Sequence, residues 1–239
     1  MAVNATSLQR PSDKNLYKVI AVGFPLVVLI GYFKSYYFSA FFDVPSVANA
    51  LVHVHGLVMS LWVIYFVAQI ALIRTKNFKI HMTMGLVGIA LATVVVVVGI
   101  ATAYDAQLIR GAAPPGENPH AFFFFPVSDM ALFVIFFAAA IYYRKRPAAH
   151  KSLMVLTAIS FMPAALFRVS PLPYEYILYW AFGIPTVIAI LCLAWQTAKN
   201  GKVNYVFAAG VLLLTVLFPL RLVVPNSSAW LGLVSLVAP

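Results

Sequence analysis

Charge is scarce in this chain: only 9% of its 239 residues are Asp, Glu, Lys or Arg. A soluble globular domain carries about a quarter, so this composition cannot clothe a water-facing surface of ordinary size. Acidic residues are rarer still, six against sixteen Lys and Arg. The net charge of +10 would point to a polyanion in a soluble protein. Here the basic residues sit in short segments between apolar runs, so membrane sidedness accounts for them and no nucleic-acid partner is implied. Cys192 is the single cysteine, which excludes an intramolecular disulfide. No HExxH or HxxxH pair occurs, so no zinc-hydrolase helix is indicated. The last apolar run has no lysine between Val203 and Val224, which excludes a retinal Schiff base there. Neither an inverted repeat nor a matched pair of broken helices argues for a transporter.

What is abundant is apolar sequence, 63% of the chain. Runs long enough to cross a bilayer, about 20 residues each, lie at roughly 17–38, 47–73, 81–104, 122–143, 150–169, 175–196 and 203–224. They are continuously apolar and lack the period-two alternation of barrel strands, so they predict helices. The expected fold is therefore all-α, a polytopic integral membrane protein built as a seven-transmembrane-helix bundle in contact with the lipid bilayer. A segment 1–16 precedes the transmembrane domain 17–224, and a segment 225–239 follows it. The polar start runs straight into the first apolar stretch, which is too long for a signal-peptide core and reads as an uncleaved helix.

Sidedness follows from the basic residues. With seven spans, twelve fall at one end: Arg10, Lys14, Lys18, Arg74, Lys76, Lys79, Arg144, Lys145, Arg146, Lys151, Lys199 and Lys202. Only Lys34, Arg110, Arg168 and Arg221 fall at the other. The positive-inside bias then places the N-terminus in the cytoplasm and the C-terminus outside. The longest connection expected on the outer side is 105–121, with a Gly/Pro-rich stretch from Gly111 to Pro119.

Polar side chains inside a membrane are costly and mark partners or function. Helical geometry sorts the few present into two layers. On the second helix His55, Met59, Trp62, Phe66 and Gln69 share one face, and His53, two residues before His55, points elsewhere. The third helix opens at His81, with Gly85, Gly88, Ala92 and Gly99 along one side. The fifth opens at His150 and carries Arg168 at its other end, on the same face. Asp129 lies inside the fourth helix, at a depth similar to that of His55.

An inner layer of His81, His150 and Gln69 is thus expected, with Gly85 and Gly88 making room for a flat ring. Two histidines on facing helices suit a haem b, with Lys79 and Lys151 near its propionates. In the outer layer His55, with His120, His53 or Met59, is the candidate for a second haem; alternatively His55, Asp129 and His120, with His53 if the helix distorts, offer ligands for zinc, copper or iron. In the plainer reading of that layer, Asp129 forms a structural ion pair with Arg168 or Arg221.

Two segments carry a resemblance. His150-Lys151-Ser152-Leu153-Met154, running on to Ala164-Ala165-Leu166-Phe167-Arg168, resembles stretches of uncharacterised bacterial multi-pass membrane proteins. So does His81-Met82-Thr83-Met84-Gly85, after Trp62 and Gln69. Over roughly residues 47–170 the layout is similar to the cytochrome b561 group and to membrane factors of haem-oxidase assembly. The resemblance implies His-led helices in a bacterial cytoplasmic (inner) membrane. Three functions follow as expectations: b-type haem electron transfer to or from a quinol or a partner enzyme, an accessory or assembly subunit of a larger membrane complex, and a metal-dependent enzyme acting on a lipid-soluble substrate.

Overall fold

A computed structural model describes residues 11–44, 47 and 49–239, with side chains from residue 16 onward. Arg10, Lys14 and most of the segment 1–16 therefore lie outside the described side chains. Among the described residues seven helices are long and apolar enough to cross a membrane: α1 (Leu16–Tyr37), α2 (Ala50–Arg74), α3 (Phe78–Ile109), α4 (Pro119–Lys145), α5 (Pro147–Val169), α6 (Tyr174–Asn200) and α7 (Tyr205–Asn226). No strand occurs among the described residues. The protein is an integral membrane protein of all-α class. The end of the bundle that gathers Arg74, Lys79, Arg144, Lys199 and Lys202 is called the basic end below, and the opposite one the far end.

Local chemistry fixes the helix ends. The Asn49 side chain accepts from Val52 N and caps α2, Asn118 accepts from His120 N before α4, and Asn204 accepts from Phe207 N before α7. Each satisfies an amide that a first turn leaves bare. Pro119 and Pro147 occupy first-turn positions, where the missing N–H costs nothing. α6 stops at Gly201 with φ of +67°, a left-handed cap that glycine adopts without strain.

α5 is the centre of the bundle. In its membrane window 72% of residues are buried, against 22% in each of α1, α2 and α3. It is also the least apolar span, which follows from its position: lipid needs an apolar surface, whereas a helix interface needs small residues and satisfied hydroxyls. Ser152, Thr157 and Ser160 are all buried, and each donates to a carbonyl of its own helix. Gly31 of α1 lies so near α5 that an added Cβ would stand 2.6 Å from the Ala165 carbonyl oxygen. Pro163, which lacks a donor, falls where α5 breaks at Ser160 and Phe161.

Three boundaries differ from the sequence expectation. α3 begins at Phe78 and its last turn, Asp105–Ile109, is a π-helix, so the far-end connection shrinks to residues 110–118. Asp105 holds this end in place by accepting from Asn49 Nδ2 at 2.9 Å and Arg110 Nε at 2.8 Å. His81 and His150 are consequently the fourth residues of their helices rather than the first. Finally, the segment after α7 folds back as α8 (Ser228–Ser235), capped by Ser227. Its Val234 packs with Ala103, Leu108 and Phe123, and Trp230 Nε1 donates to the His120 carbonyl at 2.9 Å.

Candidate functional site

At the basic end, α2, α3 and α5 bring together the polar residues of the inner layer. His81 and His150 face each other with ring centroids 6.4 Å apart and planes at 75°. His150 Nδ1 lies 2.8 Å from the Ala140 carbonyl. An N–H there fixes the tautomer and leaves Nε2 with its lone pair, as in many metal-ligating histidines. His81 Nδ1 is buried and has no hydrogen-bond partner. Beside it Gln69 Nε2 donates to Tyr65 Oη, and Tyr65 Oη donates to the Met84 carbonyl at 2.7 Å. Gln69 Oε1 is again buried and unpartnered. Buried polar atoms are nearly always satisfied, and His81 Nδ1 and Gln69 Oε1 are two that are not.

The two glycines of the expected slot separate in role. A Cβ on Gly85 would meet nothing within 4 Å, so that flank of α3 is open. A Cβ on Gly88 would run into the Tyr65 hydroxyl, and Gly88 is therefore the recess that admits Tyr65, not room for a flat ring. Tyr65 was not among the residues expected at this site. Its spacing of four from Gln69 on α2 was the signal, since side chains four apart on a helix meet.

The outer layer forms the ion pair of the plainer reading, through Arg221. Asp129 pairs with Arg221, whose Nε also donates to Ser128 Oγ at 3.0 Å and whose guanidinium lies 4.2 Å from the centre of the Phe182 ring. Both charges are buried. Arg168 takes no part in this pair. It donates to the Ala164 carbonyl at 2.6 Å and stacks over Tyr32 at 4.3 Å, because the end of α5 turns it toward α1. His55 is half-buried with an unpartnered Nδ1, whereas His53 is exposed and its ring lies 6.0 Å from that of Tyr36. His120 sits on the rim, tied to α8 through its carbonyl. No group of three or more His, Cys, Asp or Glu side chains among the described residues is placed to hold a metal ion. The proposed set of His55, His53, Asp129 and His120 is thus dispersed: the Asp129 carboxylate is committed to α7 and the two neighbouring histidines point apart.

The chain matches no family model, no curated protein and no solved structure.

Proposed function

We propose that this protein is a membrane electron carrier that holds a b-type haem between His81 and His150, exchanging electrons with a quinol or a partner enzyme in a bacterial cytoplasmic membrane. The 6.4 Å between the two imidazole centres carries this reading. One metal between two imidazoles needs ring centres about 6.3 Å apart, given bonds of about 2 Å to each nitrogen. The donor set also fits. His150 is oriented by the Ala140 carbonyl, His81 has a nitrogen without a protein partner, and the open flank at Gly85 leaves space beside them. Of the two lysines expected near the propionates, Lys79 is exposed and Lys151 lies over the Tyr17 ring at 5.7 Å.

A bound haem would supply one-electron chemistry. The chain's own contribution is to hold two imidazoles at that separation, to fix the His150 tautomer, and to surround the pair with the apolar body of the bundle. Gln69 and Tyr65 brace the site from α2.

The test is an optical spectrum of the detergent-purified protein from an iron-replete host. A Soret band that sharpens on reduction, and that is lost in His81→Ala and His150→Ala, is the expected result. Gly85→Ala should weaken it without lowering the stability of the haem-free protein. A colourless wild-type preparation that also fails to take up added haem refutes the proposal.

A further inference from the structure

The net charge of +10 is concentrated at one end of the bundle. Five of the six acidic residues, Asp43, Asp105, Glu117, Asp129 and Glu175, lie in the far half, together with four cations. Asp13, whose side chain lies outside those described, is the sixth. Among the described residues the basic end holds ten Lys and Arg and no Asp or Glu, and all ten but Lys151 are exposed. The ion pairs among the described residues, Asp105–Arg110 and Asp129–Arg221, both belong to the far half.

Membrane sidedness asks for less than this. The positive-inside bias counts Lys and Arg near the helix ends, and acidic residues weigh little in it. It accounts for the cations at one end but not for the removal of carboxylates to the other. A face of one sign, free of the opposite sign, attracts and steers a partner of complementary charge.

Position decides what kind of partner that is. Anionic lipid headgroups surround the bundle and meet its perimeter. α5 is the central helix, with 72% of its membrane window buried, and Arg144, Lys145 and Arg146 form the short turn that leads into it. These three exposed cations therefore stand over the inside of the bundle, where they face water.

The histidine pair lies just beneath. His81 and His150 are the fourth residues of their helices, about 5 Å below the helix starts at 1.5 Å per residue, and both are half-buried. The Arg146 carbonyl accepts from His150 N at 3.0 Å, and Lys79 precedes His81 by two positions. The other end of α3 is about 40 Å away along the helix.

We infer that the basic end is the docking face for a soluble protein with an acidic surface patch, held over Lys79 and Arg144–Arg146. On the haem reading, on which this part rests, that protein is the electron partner. One electron passes between its redox group and the bound haem, and no bond is made or broken.

An acidic plant-type ferredoxin is a suitable probe, with a basic cytochrome c as the control. The assay is interferometry on the purified full chain in phosphatidylcholine nanodiscs. Ferredoxin should bind saturably at low salt, cytochrome c should not, and the association rate should fall as ionic strength rises. Arg144→Gln/Lys145→Gln/Arg146→Gln should slow association about tenfold, since charges of this kind act mainly on the on-rate. Lys145→Glu, a single change at an exposed position, should slow it several-fold with unchanged thermal melting. Equal binding of the two probes, a salt-independent rate, or unchanged rates in both variants overturn the inference. Loss of ferredoxin binding once phosphatidylglycerol is mixed into the nanodiscs overturns it too, because the cations would then belong to lipid headgroups. The optical spectrum of the same sample separates the two readings. Ferredoxin binding without a Soret band keeps the docking face and removes the haem, and a Soret band without ferredoxin binding does the reverse.

Discussion

The buried pair of Asp129 and Arg221 can be tested by taking it apart in both orders. Side-chain exposure is 10% for Asp129 and 4% for Arg221, so neither charge can turn to solvent when its partner is removed. Asp129→Leu leaves the guanidinium with Ser128 and the Phe182 ring, and Arg221→Met leaves a bare carboxylate. Losing one member of such a pair costs about 3–5 kcal/mol, whereas replacing both by apolar residues of similar size is often neutral. Each single variant should therefore melt lower, by roughly 6–20 °C at about 2–4 °C per kcal/mol for a chain of this length. The double variant Asp129→Leu/Arg221→Met should recover most of that loss. The protein supplies its own reporter: Cys192 is the single cysteine and is buried, so a thiol-reactive dye registers unfolding at one site. Equal and additive losses in the two single variants and the double would refute the reasoning, since additivity means the two charges do not interact.

Two further outcomes follow from packing. Gly31→Ala must push α1 off the backbone of α5, because its Cβ would lie 2.7 Å from Ala165 Cα, and should cost about 1–3 kcal/mol. The matched change Gly23→Ala meets nothing within 4 Å and should be neutral or stabilising by up to about 1 kcal/mol; thermal melting compares the two variants, and equal effects would refute the packing argument. At the far end, Trp230→Phe removes the N–H that bonds the His120 carbonyl but keeps an aromatic ring against Phe124, 4.9 Å away. It should cost about 1 kcal/mol, and hydrogen exchange should rise in α8 rather than in α5. An unchanged exchange pattern would mean that α8 is held by its apolar contacts alone.

The histidine pair shows how far helical spacing reaches. His81 and His150 were placed in one layer because both follow basic segments at the same end, and the structure brings their rings to 6.4 Å. For the far end the same depth argument proposed His55 and Asp129 as neighbours. Depth was not enough there. Two residues at one level of a seven-helix bundle meet only if their helices are adjacent and rotated toward each other. Asp129 is turned to α7, while His55 stays on α2 without a side-chain partner for Nδ1.

The number of spans and the all-helical class were legible in the residues themselves, because membrane insertion depends on each segment's own transfer from water to lipid and on closing its own backbone hydrogen bonds. Runs of apolar residues answer that question one at a time. Only the tertiary structure decided that α5 is the central helix and that Arg221, not Arg168, meets Asp129. Those outcomes depend on which helix faces which. Inside a bilayer every apolar face is nearly as well served by lipid as by another helix, so the choice rests on close packing and a few hydrogen bonds, terms that no single segment carries in its own sequence.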